Sequence, residues 1–341
     1  LPPKNLLFVF SDQHRACDLG CYGNPEVETP HLDAFAAGGL RFTRCVSNSP
    51  LCVPVRGSLL TGLFPWNHRA LTNDLPIRSD ARSIAGVLGE SGRHAGYIGK
   101  WHLGGIPRAR FIPTEERLGF KTWKAYNCNH RYSKGFYYDE ENRRHEMKDH
   151  ASIVETDLAI DFIRQKRSSP WSLHLSWEPP HDPYQDVPPS YRSRYDATKL
   201  TLRPNVRIPA TLTRDRQVDE AKLRENLAGY YSLITLLDDQ FGRLMAALEE
   251  TGQREDTLIV YTSDHGDLHG SHGLLNKQMP QAESVNVPLI IGGPGVARGK
   301  CEEVIGLTDL PVTLAAQLGA PWGAPVDGQD LSALLRDPSA K

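Results

Sequence analysis

The run "PLCVPVRGSLLTG", Pro50 to Gly62, sets a cysteine and an arginine four residues apart across a proline. Pro54 to Leu60 has the length of a short helix, so the Cys52 thiol stands at its N-terminal mouth with Arg56 about one turn on. A helix N-terminus concentrates positive potential, which activates a thiolate or holds an anion. A free cysteine is equally at home as a small buried hydrophobe. Other chemistry-bearing residues follow apolar runs. Asp12 and Gln13 come directly after "NLLFVF", and Lys100 and His102, in "GKWHLG", come after "HAGYIG". His181, in "EPPHDPY", lies just past "WSLHLSW", and Asp264 and His265, in "TSDHGD", follow "TLIVYT".

Two aspartates brought together at a buried edge repel and shift each other's pKa unless a cation sits between them. With the Gln13 amide oxygen, Asp12 and Asp264 make a hard, oxygen-rich site suited to Ca²⁺ or Mg²⁺. The His265 imidazole suits Mn²⁺ or Zn²⁺ better. Separately, Asp12 reads as a cap, "DHGD" as an Asx-turn, His181 as a loop histidine and Lys277 as a solvated surface lysine. His265, His269 and His272 suggest zinc by type, but Gly266, Gly270 and Gly273 break any helical face that would gather them. Lys100 and His102, two apart at a strand end, face the same side of an extended chain.

The elements that must position these residues alternate. Strands are expected at Asn5–Phe10, Arg41–Val46, His94–Gly99, Trp171–Trp177, Thr257–Thr262 and Val287–Gly293, the Trp171 strand being half-buried by its apolar–polar alternation. Helices are expected from Thr29-Pro30 (cap and first turn) to Gly38, and over Ser83–Glu90, Ser152–Lys166, Val218–Glu250 and Asp309–Leu318. Such alternation predicts an α/β fold with a largely parallel sheet covered by helices on both faces, which binds ligands beyond the carboxyl ends of its strands. Residues 1–341 read as one domain, with 182–214 a long surface excursion. Net charge is −2, with 39% hydrophobic and 23% charged residues, which gives no nucleic-acid or membrane-surface footprint. No apolar run is long enough to span a bilayer. Six irregularly spaced cysteines exclude a disulfide scaffold and a zinc ribbon. The absence of Asn-x-Ser/Thr leans toward a bacterial source, with periplasmic, secreted and cytoplasmic locations all open.

Taken together, the motifs resemble the sulfatase family of the alkaline phosphatase superfamily. "CVPVRGSLLTG" is similar to the family signature, "GKWHLG" to its second signature, and "TPHLDAFAAGGLRFT", "PPHDPY", "TSDHGD" and "VPLIIGGPG" to further blocks in the family's order. The resemblance implies an alkaline phosphatase-like sheet sandwich and hydrolysis of a sulfate ester, small-molecule or saccharide, to an alcohol and sulfate. It implies that Cys52 is oxidised by a formylglycine-generating enzyme, and that one hydroxyl of the aldehyde hydrate attacks sulfur. The second hydroxyl is then deprotonated and expels sulfate. Metal ligation falls to Asp12, Gln13, Asp264, His265 and the modified Cys52, with Ca²⁺ expected and Mn²⁺ or Mg²⁺ as alternatives. Arg56 would stabilise the hydrate, Lys100 and Lys277 would hold sulfate oxygens, His102 would assist the hydrate, and His181 would protonate the leaving group.

Three departures shape the expectation. Gln13 and His265 stand where many members have Asp and Asn, a pattern found in the branch with phosphonate monoester and choline-sulfate hydrolases. Phosphodiester or phosphonate monoester hydrolysis at the same site is therefore the alternative, and a non-catalytic metal- and anion-binding protein is the reading from another class. Val55 replaces the commoner serine within the signature. The family usually continues past "DGQDLSALL" into a small C-terminal subdomain, so the chain ending at Lys341 is expected to lack it. Trp66, Trp101 and Trp322 suit either a sugar platform or the core.

Overall fold

The computed structural model describes residues 2–213 and 216–340. The strands in chain order are β1 (Asn5–Asp12), β2 (Leu40–Val46), β3 (His94–Lys100), β4 (Thr122–Tyr126), β5 (Phe136–Tyr138), β6 (Arg144–Glu146) and β7 (Trp171–Pro180). They continue with β8 (Ala210–Thr213), β9 (Arg216–Val218), β10 (Thr257–Ser263), β11 (Asn286–Gly292) and β12 (Gly299–Gly306). Ten of them form one sheet in the order β12-β2-β11-β10-β1-β7-β3-β4-β5-β6, and β8 and β9 pair separately. The central strands β10, β1, β7, β3 and β4 are parallel. β11 lies antiparallel between β10 and β2, and β5 and β6 extend the far edge antiparallel.

Helices α1 (Pro30–Gly38), α2 (Cys52–Thr61), α3 (Pro65–His68), α4 (Ile84–Glu90) and α5 (Ala151–Gln165) precede α6 (Pro189–Arg192) and α7 (Glu220–Glu250). α8 (Ala282–Val285), α9 (Leu310–Gln317) and α10 (Ser332–Arg336) follow. Strand β1 shows why its sequence is apolar throughout. Leu6, Phe8 and Phe10 pack into a cluster with residues of α2, α4 and α9, such as Val53, Leu88 and Leu314. Leu7 and Val9 face the opposite cluster with Leu32 of α1, Ala159 of α5 and Phe241 of α7. A strand covered on both faces needs an apolar residue at every position.

Three expectations are corrected. β7 is not half-buried: all ten of its residues are inside. Trp171, Leu173, Leu175 and Trp177 join one apolar cluster. The polar side is buried because His174 stacks on Phe8 with centroids 5.0 Å apart and Ser176 accepts a hydrogen bond from Arg56. Thr29 does not cap α1 with its side chain. Its hydroxyl is engaged by Gly20 N and Asp33, and Asp238 of α7 instead accepts from His31 N and Leu32 N at 3.0 and 2.7 Å. The segment after His181 is more than a surface excursion, since Tyr184, Val187, Tyr195 and Leu200 are buried in the α7 cluster. Trp101 is core, packed edge-on to Tyr97 and Trp123, whereas Trp66 is 80% exposed.

Candidate active site

The parallel register assembles the site. Ser11 of β1 lies opposite Ser263 of β10 and Trp177 of β7, and Gly99 of β3 lies opposite Ser176 of β7. Asp12, Lys100, Glu178 and Asp264 therefore emerge at one carboxyl edge of the sheet, where open α/β sheets bind ligands. Gly99 has φ +98°, and a Cβ there would fall on the Ser176 carbonyl, so only glycine lets β3 turn Lys100 into the site. Above this edge lies α2, which begins at Cys52 itself and ends at Gly62, φ 66°. All ten residues of α2 are buried.

Arg56 ties the edge together. Its Nε donates to Asp264 Oδ2 at 3.0 Å and its Nη2 to Asp12 Oδ2 at 3.1 Å. Nη1 donates to the Lys100 carbonyl at 2.9 Å and to Ser176 Oγ at 2.8 Å. The other carboxylate oxygens turn toward Cys52 and His265. Asp12 Oδ1 lies 3.8 Å from Cys52 Sγ and 3.4 Å from His265 Nε2, and Sγ lies 3.3 Å from that nitrogen. Asp264 Oδ1 accepts from Gln13 N and His265 N at 3.0 and 2.8 Å. One ligand atom from each of Asp12, Cys52, Asp264 and His265 falls within 4.8 Å of the others, all four residues being buried.

Lys100 Nζ, fully buried, lies 2.7 Å from Asp12 Oδ2 and 3.0 Å from Glu178 Oε1. Lys277 Nζ donates to Gln13 Oε1 and lies 2.8 Å from His181 Nε2. His181 Nδ1 lies 2.8 Å from the Asp182 carbonyl, and its ring stacks on His130 with centroids 4.6 Å apart. His130 Nδ1 is in turn 3.0 Å from Glu178 Oε1. His102 is 2% exposed, and neither ring nitrogen has a hydrogen-bond partner among the described residues.

Charge balance sets the protonation states. Burial pushes the Asp12 carboxyl up, but Lys100 first, then Arg56 and His265, outweigh it and hold the group well below the usual carboxylate range. For Cys52, burial and Asp12 raise the thiol pKa, and Lys277, His265 and Lys100 bring it below its ordinary value. Burial and then Lys100 keep His102 neutral, and burial and then Lys277 do the same for His181. Burial disfavours the Lys100 ammonium, yet Asp12 and Glu178 raise its pKa well above the usual value.

The structure thus joins Asp12, Gln13, Cys52, Arg56, Lys100, Asp264 and His265 in one contact network, attaches Lys277 and His181 through Gln13, and leaves His102 unbonded. Two buried carboxylates, an amide oxygen and an imidazole are a donor set that fits a divalent cation of hard to borderline character. Arg56 compensates the outer oxygens of the carboxylates and leaves one oxygen of each toward this set. The three histidines of the zinc pattern diverge, with His269 packed on Tyr230 and His272 Nε2 3.5 Å from Glu283. Sequence reasoning missed Glu178, His130, Tyr184 and Asp267. Asp267 carried a signal as the second acid of "DHGD", and Glu178 and Tyr184 stood at the two ends of "EPPHDPY" without being singled out.

Residues 4–320 match the sulfatase family model, and the chain belongs to the sulfatase family. It is 36% identical to the ulvan-active sulfatase of Formosa agariphila over 344 residues, 98% of this chain. The chain spans only 65% of that relative's length. A Bacteroides fragilis structure assigned as the sulfatase yidJ superposes with TM-score 0.91 at 30% identity, covering 100% of this chain and 79% of that one. The phosphonate monoester hydrolase SpPMH of Silicibacter pomeroyi is also similar, with TM-score 0.81 at 28% identity over 97% of this chain and 76% of that one. The large mixed sheet with flanking helices is accordingly the alkaline phosphatase-like fold. Among the described residues no helix is long and apolar enough to cross a membrane.

Proposed function

We propose that the protein hydrolyses a sulfate ester of a saccharide to an alcohol and inorganic sulfate, within one catalytic domain formed by residues 1–341. The nucleophile is residue 52, after a formylglycine-generating enzyme has oxidised its cysteine. One observation carries the reading: Cys52 Sγ heads a buried helix 3.8 Å from Asp12 and 3.3 Å from His265, with Lys100 and Lys277 beside it in charge. The saccharide class is supported by the relative active on ulvan.

Asp12, Gln13, Asp264 and His265, with residue 52, would hold a divalent cation, Ca²⁺ by the oxygen count, with Mn²⁺ or Mg²⁺ as substitutes. Such a cation supplies Lewis-acid polarisation of a sulfate oxygen and acidifies a bound hydroxyl. The hydrated aldehyde supplies a geminal diol, which can release its ester by re-forming the carbonyl. Arg56 fixes the two aspartates and sets positive charge under the nucleophile. Lys100 and Lys277 oppose the charge that grows on the sulfate oxygens. His102, with two free ring nitrogens, takes a proton from residue 52. His181, whose Nδ1 faces the Asp182 carbonyl and whose Nε2 accepts from Lys277 at 2.8 Å, serves the leaving oxygen as general acid once Nε2 has taken up a proton.

The test combines mass with rate. After co-expression with the maturation enzyme, the peptide carrying residue 52 should be lighter than the cysteine form and react with a hydrazide. An aryl or saccharide sulfate should be cleaved with higher kcat/KM than the matched phosphodiester or phosphonate monoester. Cys52→Ala should abolish turnover while leaving the fold intact by circular dichroism. Activity in a preparation containing only unmodified cysteine overturns the nucleophile. Faster cleavage of the phosphodiester or phosphonate than of every sulfate assigns the site to that chemistry, which Gln13 and His265 favour.

A further inference from the structure

We infer that Asp267 and Tyr184 are positioning residues that lock the Gln13 amide with its oxygen toward the cation site, and that they make glutamine, not an acid, the residue this site requires at position 13. The inference rests on the reading of Gln13 as a metal ligand and goes beyond it.

Gln13 is a non-glycine residue in the left-handed region, φ 70°, a conformation that persists only where surroundings enforce it. Both ends of its backbone unit are held: N donates to Asp264 Oδ1 at 3.0 Å, and the carbonyl accepts from Tyr230 Oη at 2.7 Å. Its side-chain amide is equally determined. Nε2 donates to Asp267 Oδ2 at 2.5 Å and to Tyr184 Oη at 3.1 Å, while Oε1 accepts from Lys277 Nζ. The Tyr184 hydroxyl donates its own proton to Asp267 Oδ2 at 2.7 Å, so its oxygen is free to accept from Gln13. Asp267 Oδ1 accepts from His269 N at 2.8 Å.

Both Asp267 oxygens are engaged as acceptors, Oδ1 by the His269 N–H and Oδ2 by the Tyr184 hydroxyl. Rotating the Gln13 amide by half a turn would set Oε1 against Asp267 Oδ2, two acceptors with no proton between them. Asp267 thereby holds the amide nitrogen on its own side and turns the oxygen toward Lys277. The clamp is itself rigid. Tyr184 packs edge-on to Tyr230, and α7 approaches its backbone so closely that a Cβ at Gly229 would overlap the Tyr184 carbonyl. Simple electrostatics says that an acid at position 13 would bind a cation more tightly. In this environment the new carboxylate would face Asp267 in a fully buried pocket and be driven out of position or protonated.

The experiment is calorimetric titration of chelator-stripped protein with CaCl₂ or MnCl₂, alongside the melting temperature of each stripped variant. Asp267→Asn offers both a donor and an acceptor and so permits either amide orientation. It should weaken cation binding roughly 10–100-fold, the usual effect of removing a group that orients a ligand. Gln13→Glu should also weaken binding, despite its added negative charge. The double variant Gln13→Glu/Asp267→Asn should bind more tightly than Gln13→Glu alone, a reversal that general loss of packing does not produce. If Asp267→Asn fails to fold, Gln13→Glu and Tyr184→Phe decide, both being expected to bind more weakly than the unaltered protein. Tighter binding by Gln13→Glu, or unaltered binding by Asp267→Asn or Tyr184→Phe, overturns the inference while leaving the metal reading intact. Absence of binding by the unaltered protein overturns both.

Discussion

Lys100 is a fully buried ammonium shared between two carboxylates, Asp12 and Glu178. Buried ion pairs add little net stability, but deleting one partner leaves charge uncompensated. Glu178→Gln leaves Lys100 with Asp12 as its one carboxylate and removes the negative charge beside His130 Nδ1. It is expected to cost about 1–3 kcal/mol of unfolding free energy, the range for a buried group stripped of a partner. Thermal or denaturant unfolding measures this, and an unchanged midpoint contradicts it. The contrast between Glu178 and Lys100 also shows what a sequence makes legible. Lys100 stands in a strand-end pattern, two residues from a histidine, and Cys52 and Arg56 share one helical turn, so spacing alone singled them out. Glu178 owes its role to the register of β7 beside β3, and Tyr184 to a loop folded back over α7. Neither relation leaves a local spacing to read.

At the level of elements, the N-terminus of α1 is satisfied from another helix. Asp238 of α7 accepts two of its backbone N–H groups, and burial pushes this carboxyl up from 3.8 to about 6 despite those bonds. Below about pH 4 it is protonated in folded and unfolded chains, and above about 6 it is ionised in both. Between the two, the folded chain keeps a proton that the unfolded chain has lost, so this group's contribution to stability falls as pH rises. Asp238→Asn should flatten the fall in melting temperature across pH 4–6, and a slope equal to that of the unaltered protein would disprove the assignment. Continuous apolar runs announced β1, β10 and β11 because such runs have few alternatives. The buried polar side of β7 was misread because alternation cannot tell water from a polar interior. β5 and β6, three residues each, are too short to display a period.

For the whole molecule, the cation site and the fold are thermodynamically linked. A cation that binds only the folded chain stabilises it by about 2.7 kcal/mol at about a hundred times its Kd. Adding chelator to calcium-loaded protein should therefore lower the melting temperature by a few degrees and abolish turnover, both being restored by Ca²⁺ or Mn²⁺. If chelator moves neither quantity, the cation assignment is wrong. Arg56 carries a different consequence, for the order of folding. Its four partners lie 44, 44, 120 and 208 residues along the chain, at Asp12, Lys100, Ser176 and Asp264. Each contact closes a loop, and the longest closes only when β10 docks against β1. Until then the guanidinium lacks one of the two carboxylates that offset its burial, and water remains its better partner. The enclosure of Arg56, and with it of the thiol one turn before it on α2, is complete only once four distant stretches of the chain have met at the sheet edge.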